Sequence, residues 1–185
     1  MVTYAVVGLL DEKTTQYFQT MWKDLKERQI TDYGTSYPHR YPHLTFADYT
    51  DIDLTRAAAL FDRVLQNQEQ IELSFLVLGT FLNTKTLFLA PTFSQKLYDL
   101  HASIHDHLKE FDRDQDSFYL KGRWNPHCTI ASRLNASEMS EAIHYCQLYL
   151  NPMKVRVVEI ALIEITVNAA HIVVSDRLLY SKKLE

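Results

Sequence analysis

Residues 41–46 read YPHLTF and residues 125–130 read NPHCTI. The unit Pro-His-x-Thr-apolar thus stands twice, 84 residues apart, in a chain with only five prolines and eight histidines. Along an extended strand, residues i and i+2 face one way and residue i+1 the other. His43 and Thr45 therefore share a face, as do His127 and Thr129, while Leu44 and Cys128 turn the opposite way, into a core. Pro42 and Pro126 favour extended backbone before them and open a strand without needing a ladder donor. The first expectation is two short strands, each offering an imidazole and a hydroxyl to one side.

Working outward, the segments around both strands follow one order. Residues 2–10 are rich in Val, Leu and Tyr and predict a strand. Tyr17, Phe18, Met21, Trp22 and Leu25 recur at helical spacing and predict a helix over residues 14–28. A Tyr/Pro/Gly-rich loop (residues 31–42) leads to the first motif. Asp53 is placed to cap a helix over residues 53–67 that turns Leu60, Phe61, Val64 and Leu65 inward. ELSFLVLGTFL and TLFLAP, joined by Asn83-Thr84-Lys85, predict a hairpin.

The second half repeats the series. A helix over 95–111 carries Leu97, Leu100, Ile104, Leu108 and Phe111 as one apolar stripe. A polar loop (112–122), the second motif, a helix over 137–150 and the β-rich stretch VRVVEIALIEI follow, and the chain passes through Asn168 to HIVVSDRLL. A shift of 84 carries His43 onto His127, Asp53 onto Ser137, Ile71 onto Val155 and Thr86 onto Ala170. The fold expected is α+β, bilobal and duplicated about a pseudo-twofold axis. Two antiparallel sheets with outer helices would flank a central cleft that carries the two H-x-T motifs. Residues 1–185 are expected to form a single domain of two intertwined lobes.

Composition narrows the function classes. The apolar fraction is 46% and the charged fraction 23%, values of a globular chain rather than a disordered one. A net charge of −4, from 19 basic against 23 acidic residues, argues against a life on duplex DNA, which calls for a broad basic face. A small anionic ligand held by a few local cations fits the same balance. Cys128 and Cys146 lack metal or redox spacing, and MVTYAVVGLL lacks a basic leader, so a cytoplasmic location is expected. No apolar run approaches membrane-spanning length.

The paired motifs suit phosphodiester chemistry. In-line displacement at phosphorus needs a base for the attacking oxygen and an acid for the departing one. An imidazole with a reference pKa of about 6.5 serves in either role near neutrality. Lobes related by a twofold axis would set His43 and His127 on opposite walls of one groove. The hydroxyls of Thr45 and Thr129 could then donate to the non-bridging oxygens, where charge accumulates. This scheme requires no metal and no cofactor.

PHLTF, PHCTI, their spacing and the duplicated order resemble the two-histidine (2H) phosphoesterase superfamily, also called the 2′-5′ RNA ligase-like or cyclic phosphodiesterase family. Within it the chain looks closest to small bacterial members. The resemblance spans essentially the whole chain. It implies a bilobal fold with a central cleft, metal-independent catalysis, and 2′,3′-cyclic phosphates or 2′-5′-linked nucleotides and RNA ends as substrates. It also implies an acid/base pair, His43 and His127, and two phosphate ligands, Thr45 and Thr129. The ligase direction is open as the reverse reaction, and a nucleotide- or RNA-binding protein of the same fold without useful turnover is the alternative.

The flanks mix aromatics with cations, as a stacked base beside a phosphate would require. Tyr37, His39, Arg40 and Tyr41 surround the first motif; Phe118, Tyr119, Lys121, Arg123 and Trp124 surround the second. Tyr41, Trp124, Arg123 and Arg40 are the substrate-binding candidates, although Trp124 and Tyr119 equally suit packing between lobes. Arg133, just past PHCTIAS, suits either the phosphate or ordinary surface, and surface is the reading preferred. His39 repeats Tyr-Pro-His but has Tyr41 where Thr is needed, which places it in the loop. His101 and His105 stand four apart on a helix, a zinc-pair spacing, yet without the accompanying Glu they read as a solvated face. His144 and His171 receive no role, and strand alternation turns Cys128 away from the groove, against a thiol nucleophile.

Overall fold

The computed structural model describes residues 1–185 except His39, Gln115 and His171, so the readings of His39 and His171 lie outside the described residues. Four helices form where apolar periodicity and a capping side chain coincide. In α1 (Glu12–Glu27), Phe18, Met21, Trp22 and Leu25 are buried, and the Asp11 carboxylate accepts the Thr14 N–H at 3.0 Å. α2 (Leu54–Val64) opens at Asp53, as expected, and α3 (Gln95–Leu108) at Ser94. α4 (Ala136–Tyr149) starts at Asn135 rather than Ser137. The reason is a capping box: Asn135 accepts the Glu138 N–H at 3.0 Å while Glu138 accepts the Asn135 N–H at 2.8 Å.

Seven strands, all paired antiparallel, carry the site: β1 (Val2–Leu10), β2 (His43–Tyr49), β3 (Ile71–Phe81), β4 (Thr86–Pro91), β5 (Cys128–Ala131), β6 (Met153–Val167) and β7 (Val173–Lys183). Their order is β1-β2-β5-β4-β3-β6-β7, and β1 also pairs with β6. The two expected sheets are thus joined into one ladder. β6 makes the join, because Met153–Val157 face β3 on the edge where Glu159–Val167 face β7, and β1 occupies its other edge.

The register shows the duplication directly. β2 meets β5 at Leu44 opposite Cys128, and the β3–β6 ladder sets Glu72 opposite Arg156. Both pairs join residues 84 apart, the spacing of the two motifs. Around the second pair, Ile71 faces Val157 and Leu73 faces Val155, and an 84-residue shift exchanges these two contacts. A pseudo-twofold axis therefore passes through both pairs.

The helices cover one face of the ladder. Phe18, Phe46, Phe61 and Phe75 are fully buried there, in a core cluster that takes residues from both halves. Each such side chain stabilises the fold by roughly 1.5–3 kcal/mol. Leu44 and Cys128 lie in this core, as alternation requires. The opposite face carries His43 and Thr45, whose cross-strand partners on β1 are Leu9 and Val7. A small aliphatic cluster of Ala5, Val7 and Ala161, flanked by Leu9, Ile163 and Ile165, floors this side. On the other half the partner of Thr129 is Phe88. Among the described residues, no helix is long and apolar enough to cross a membrane.

Candidate active site

The two histidines are held alike. His43 Nδ1 lies 2.8 Å from the Tyr41 carbonyl, and His127 Nδ1 lies 2.7 Å from the Asn125 carbonyl, two residues upstream in both cases. A carbonyl only accepts, so each Nδ1 carries hydrogen and donates, and each Nε2 is left for chemistry. Both rings are half-buried.

The threonines are braced across the axis. The Tyr119 hydroxyl, from the loop before β5, is within hydrogen-bonding reach of Thr45, and the Tyr33 hydroxyl, from the loop before β2, of Thr129. Each half thus supplies the tyrosine for the other half's motif. Tyr33 escaped the sequence reading; its near-equivalence to Tyr119 in the duplicated order was the signal available. Burial pushes both phenols up, Tyr119 to about 12, so they act as neutral hydroxyls.

Burial also holds the pKa of His43 below the usual imidazole value, against the Tyr41 carbonyl contact, which raises it. The Arg40 charge lowers it further, Asp176 opposes Arg40, and His127 lowers it again. His127 is lowered by burial, against the contact to the Asn125 carbonyl. Its ring packs edge-on against Phe81 at 4.7 Å and beside Phe88 at 5.3 Å.

Arg40 is buried, 8% exposed, with its guanidinium 4.0 Å from the Tyr33 ring centroid and 4.1 Å from that of Tyr37. One nitrogen donates to Ser36 Oγ at 3.2 Å, and Nε has no hydrogen-bond partner among the described residues. No carboxylate among those residues forms an ion pair with it. A buried cation without a counter-ion is costly, which makes this position receptive to an anion.

Arg40 opens onto a cleft of about 670 Å³ that reaches His127 and Thr129 but is not lined by His43 or Thr45. Phe81, Phe118 and Trp124 form its aromatic walls. Thr84, Thr86 and Ser132 add a chain of hydroxyls, with Oγ1–Oγ1 2.9 Å and Oγ1–Oγ 2.8 Å, which the sequence reading also missed.

The other candidates divide. Trp124 is buried, donates from Nε1 to the Thr45 carbonyl at 2.8 Å and stacks on His101 at 3.9 Å, so it packs the lobes while presenting an edge to the cleft. Tyr41 is exposed and Arg123 sits 3.8 Å from Asp116; both stand outside the cleft lining, as does Lys121, paired with Asp106. Tyr37 donates to Asp176 at 2.9 Å. Arg133, read as surface, is exposed as expected; it also lines the cleft and donates to the Ala170 carbonyl at 2.8 Å. Its backbone takes a φ of +62°, which turns the chain sharply out of β5 towards the cleft rim.

His101 and His105 correct a second expectation. Both are 3% exposed, not solvated. His101 Nε2 lies 2.7 Å from the Tyr119 carbonyl, and His105 bridges the Phe46 carbonyl and the Asp112 carboxylate, each at 3.1 Å. They tie α3 to β2 and to the loop before β5. No cluster of three or more His, Cys, Asp or Glu suited to a metal ion occurs among the described residues. Cys128 is fully buried and its thiol is pushed far up by that burial, while His144 is exposed.

Comparison with known proteins agrees with this architecture. The family model of the 2′-5′ RNA ligase superfamily matches residues 17–169. The crystal structure of Escherichia coli LigT in apo form superposes with a TM-score of 0.65 at 13% identity, over 98% of this chain and 96% of LigT. LigT complexed with 3′-AMP gives 0.64 at 14%, over 99% and 97%. TT0787 of Thermus thermophilus gives 0.64 at 16%, again over 99% and 97%. No curated protein sequence matches the chain.

Proposed function

The chain belongs to the 2′-5′ RNA ligase superfamily of phosphoesterase-type enzymes, and from that premise we propose that it is a phosphodiesterase of 2′,3′-cyclic phosphates or 2′-5′-linked nucleotides and RNA ends, working by two-histidine acid/base catalysis. The observation that carries this reading is the matched pair of imidazoles. Each is fixed through Nδ1 by the same backbone contact, each leaves Nε2 available, and each stands two residues before a threonine braced by tyrosine. Binding alone would need no such match, whereas displacement at phosphorus needs a proton acceptor and a proton donor on opposite sides.

His43 and His127 are the acid/base pair, and Thr45 and Thr129 donate to the non-bridging oxygens as these gain charge. Arg40 neutralises the phosphate, and the aromatic walls receive a base. The complex of LigT with 3′-AMP supports a nucleotide phosphorylated on its ribose as the ligand class. The residues act within one domain spanning 1–185, and the same groups serve the ligase direction in reverse.

The test is turnover of 2′,3′-cyclic nucleotides and 2′-5′-linked dinucleotides in EDTA, for wild type, His43→Ala and His127→Ala. Turnover lost by about 10²–10⁴-fold in each variant is expected. Saturable nucleotide binding without turnover in the wild type would replace the enzyme with a binding protein.

A further inference from the structure

The pseudo-twofold axis makes the histidines equivalent by backbone, but their surroundings differ, and the difference assigns their roles. The 670 Å³ cleft is unequal about the axis: His127 and Thr129 line it, and His43 and Thr45 do not. Of its aromatic walls, Phe81 packs against His127 at 4.7 Å, and Trp124 spans to β2, donating to the Thr45 carbonyl. On the far side, Val7 and Leu9, opposite Thr45 and His43 on β1, belong to an aliphatic patch that offers a base nothing to stack on. A nucleoside therefore sits beside His127, and the opposite apical position at phosphorus, beside His43, is left for a small molecule such as water.

Resting on the phosphodiesterase reading above, we propose that His127 is the general acid that protonates the leaving ribose oxygen of a 2′,3′-cyclic nucleotide, and that His43 is the general base that activates water, with Arg40 as the cation between them. His43 Nε2 takes a proton from water as its oxygen attacks phosphorus. The bond from phosphorus to the 2′ or 3′ oxygen breaks, and its electron pair stays on the ribose oxygen, which takes the proton from His127 Nε2. The product is a ribose phosphomonoester. His43 ends protonated and His127 neutral, and exchange with solvent restores both.

Electrostatics run the same way. The groups acting on His43 are the Arg40 guanidinium and His127, which disfavour an imidazolium, and the Tyr41 carbonyl and Asp176, which favour one. Arg40 outweighs Asp176, whose carboxylate already accepts from the Tyr37 hydroxyl. His127 is lowered by burial against the Asn125 carbonyl contact, whereas the Arg40 charge acts on His43. Of the two rings, His43 is the one that the Arg40 charge helps to keep neutral, where a base is needed.

The experiment makes protonation of the leaving group dispensable. Wild type, His43→Asn and His127→Asn are assayed on a 2′,3′-cyclic nucleotide and on its analogue with sulfur in place of the leaving ribose oxygen, because a thiolate departs without an acid. Asn retains a side-chain N–H near the Nδ1 position, and a melting curve confirms that each variant is folded. On the oxygen substrate both variants should lose about 10²–10⁴-fold. On the sulfur substrate His127→Asn should return to within roughly tenfold of wild type, while His43→Asn stays impaired. In residual activity against pH, His127→Asn should lack the alkaline limb and His43→Asn the acidic one. Arg40→Gln should move the acidic limb to higher pH and leave the alkaline limb in place. Rescue of His43→Asn, or of neither variant, overturns the assignment. An inactive wild type on both substrates overturns the phosphodiesterase reading itself.

Discussion

At the scale of single residues, the site depends on two imidazoles kept from ionising freely. Burial lowers both pKa values, so a proton on either is lost at a lower pH than for an exposed histidine. Catalysis needs one ring charged and one neutral. We therefore expect kcat/KM to peak below pH 6.5 and to fall towards pH 8; a profile flat from pH 5 to 8 would remove the two-histidine mechanism. Bound phosphate favours the imidazolium, so the alkaline limb of kcat should lie higher than that of kcat/KM. The threonines are expected to act on the transition state. Thr45→Val and Thr129→Val should each lower kcat by about 10²-fold, a loss of roughly 3 kcal/mol, with little change in KM, as steady-state kinetics would show.

At the scale of elements, α3 and the loop before β5 hold β2 from behind. His101 contributes through Tyr119 and Trp124, and burial pushes its pKa down to about 4. The folded state thus binds His101 in neutral form, while the unfolded chain takes up a proton near pH 6.5. The contribution is full above pH 6.5 and is lost as the pH falls towards 4, up to about 3 kcal/mol. Urea midpoints at pH 7 and 4.5 should separate less in His101→Phe than in wild type. These contacts also show where the sequence stopped being legible. The apolar stripe of α3 is local and was readable, and so was the alternation that puts His43 with Thr45 and Leu44 in the core. What covers His101 and His105 comes from Tyr119, Asp112 and Phe46 on other elements, and helical periodicity holds no record of them. For the same reason the hydroxyl chain from Thr84 to Ser132 was invisible, and Tyr33, which reaches Thr129 from the opposite half, was marked only by its near-equivalence to Tyr119. Arg133 is on the surface as read, but its place at the cleft follows from a backbone turn that its charge does not announce.

At the scale of the molecule, the halves are sewn together on the axis at two seams, β2 against β5 and β3 against β6, so the ladders of each half run on into the other. Leu44 and Cys128 are both fully buried where β2 meets β5. Leu44→Ala should cost about 2–5 kcal/mol and lower the melting temperature of the whole protein in one cooperative transition; two resolved calorimetric peaks would contradict that. The seam also has a chemical meaning. Five-coordinate phosphorus carries a twofold operation of its own, which exchanges the entering with the departing apical oxygen and one non-bridging oxygen with the other. A scaffold that repeats its imidazole and hydroxyl about such an axis has the symmetry of that species, so by microscopic reversibility its backbone favours neither making nor breaking the ester. The arrow of the reaction is set by the unpaired furnishings: phenyl rings on one wall, small aliphatics on the other, and a guanidinium placed off the axis.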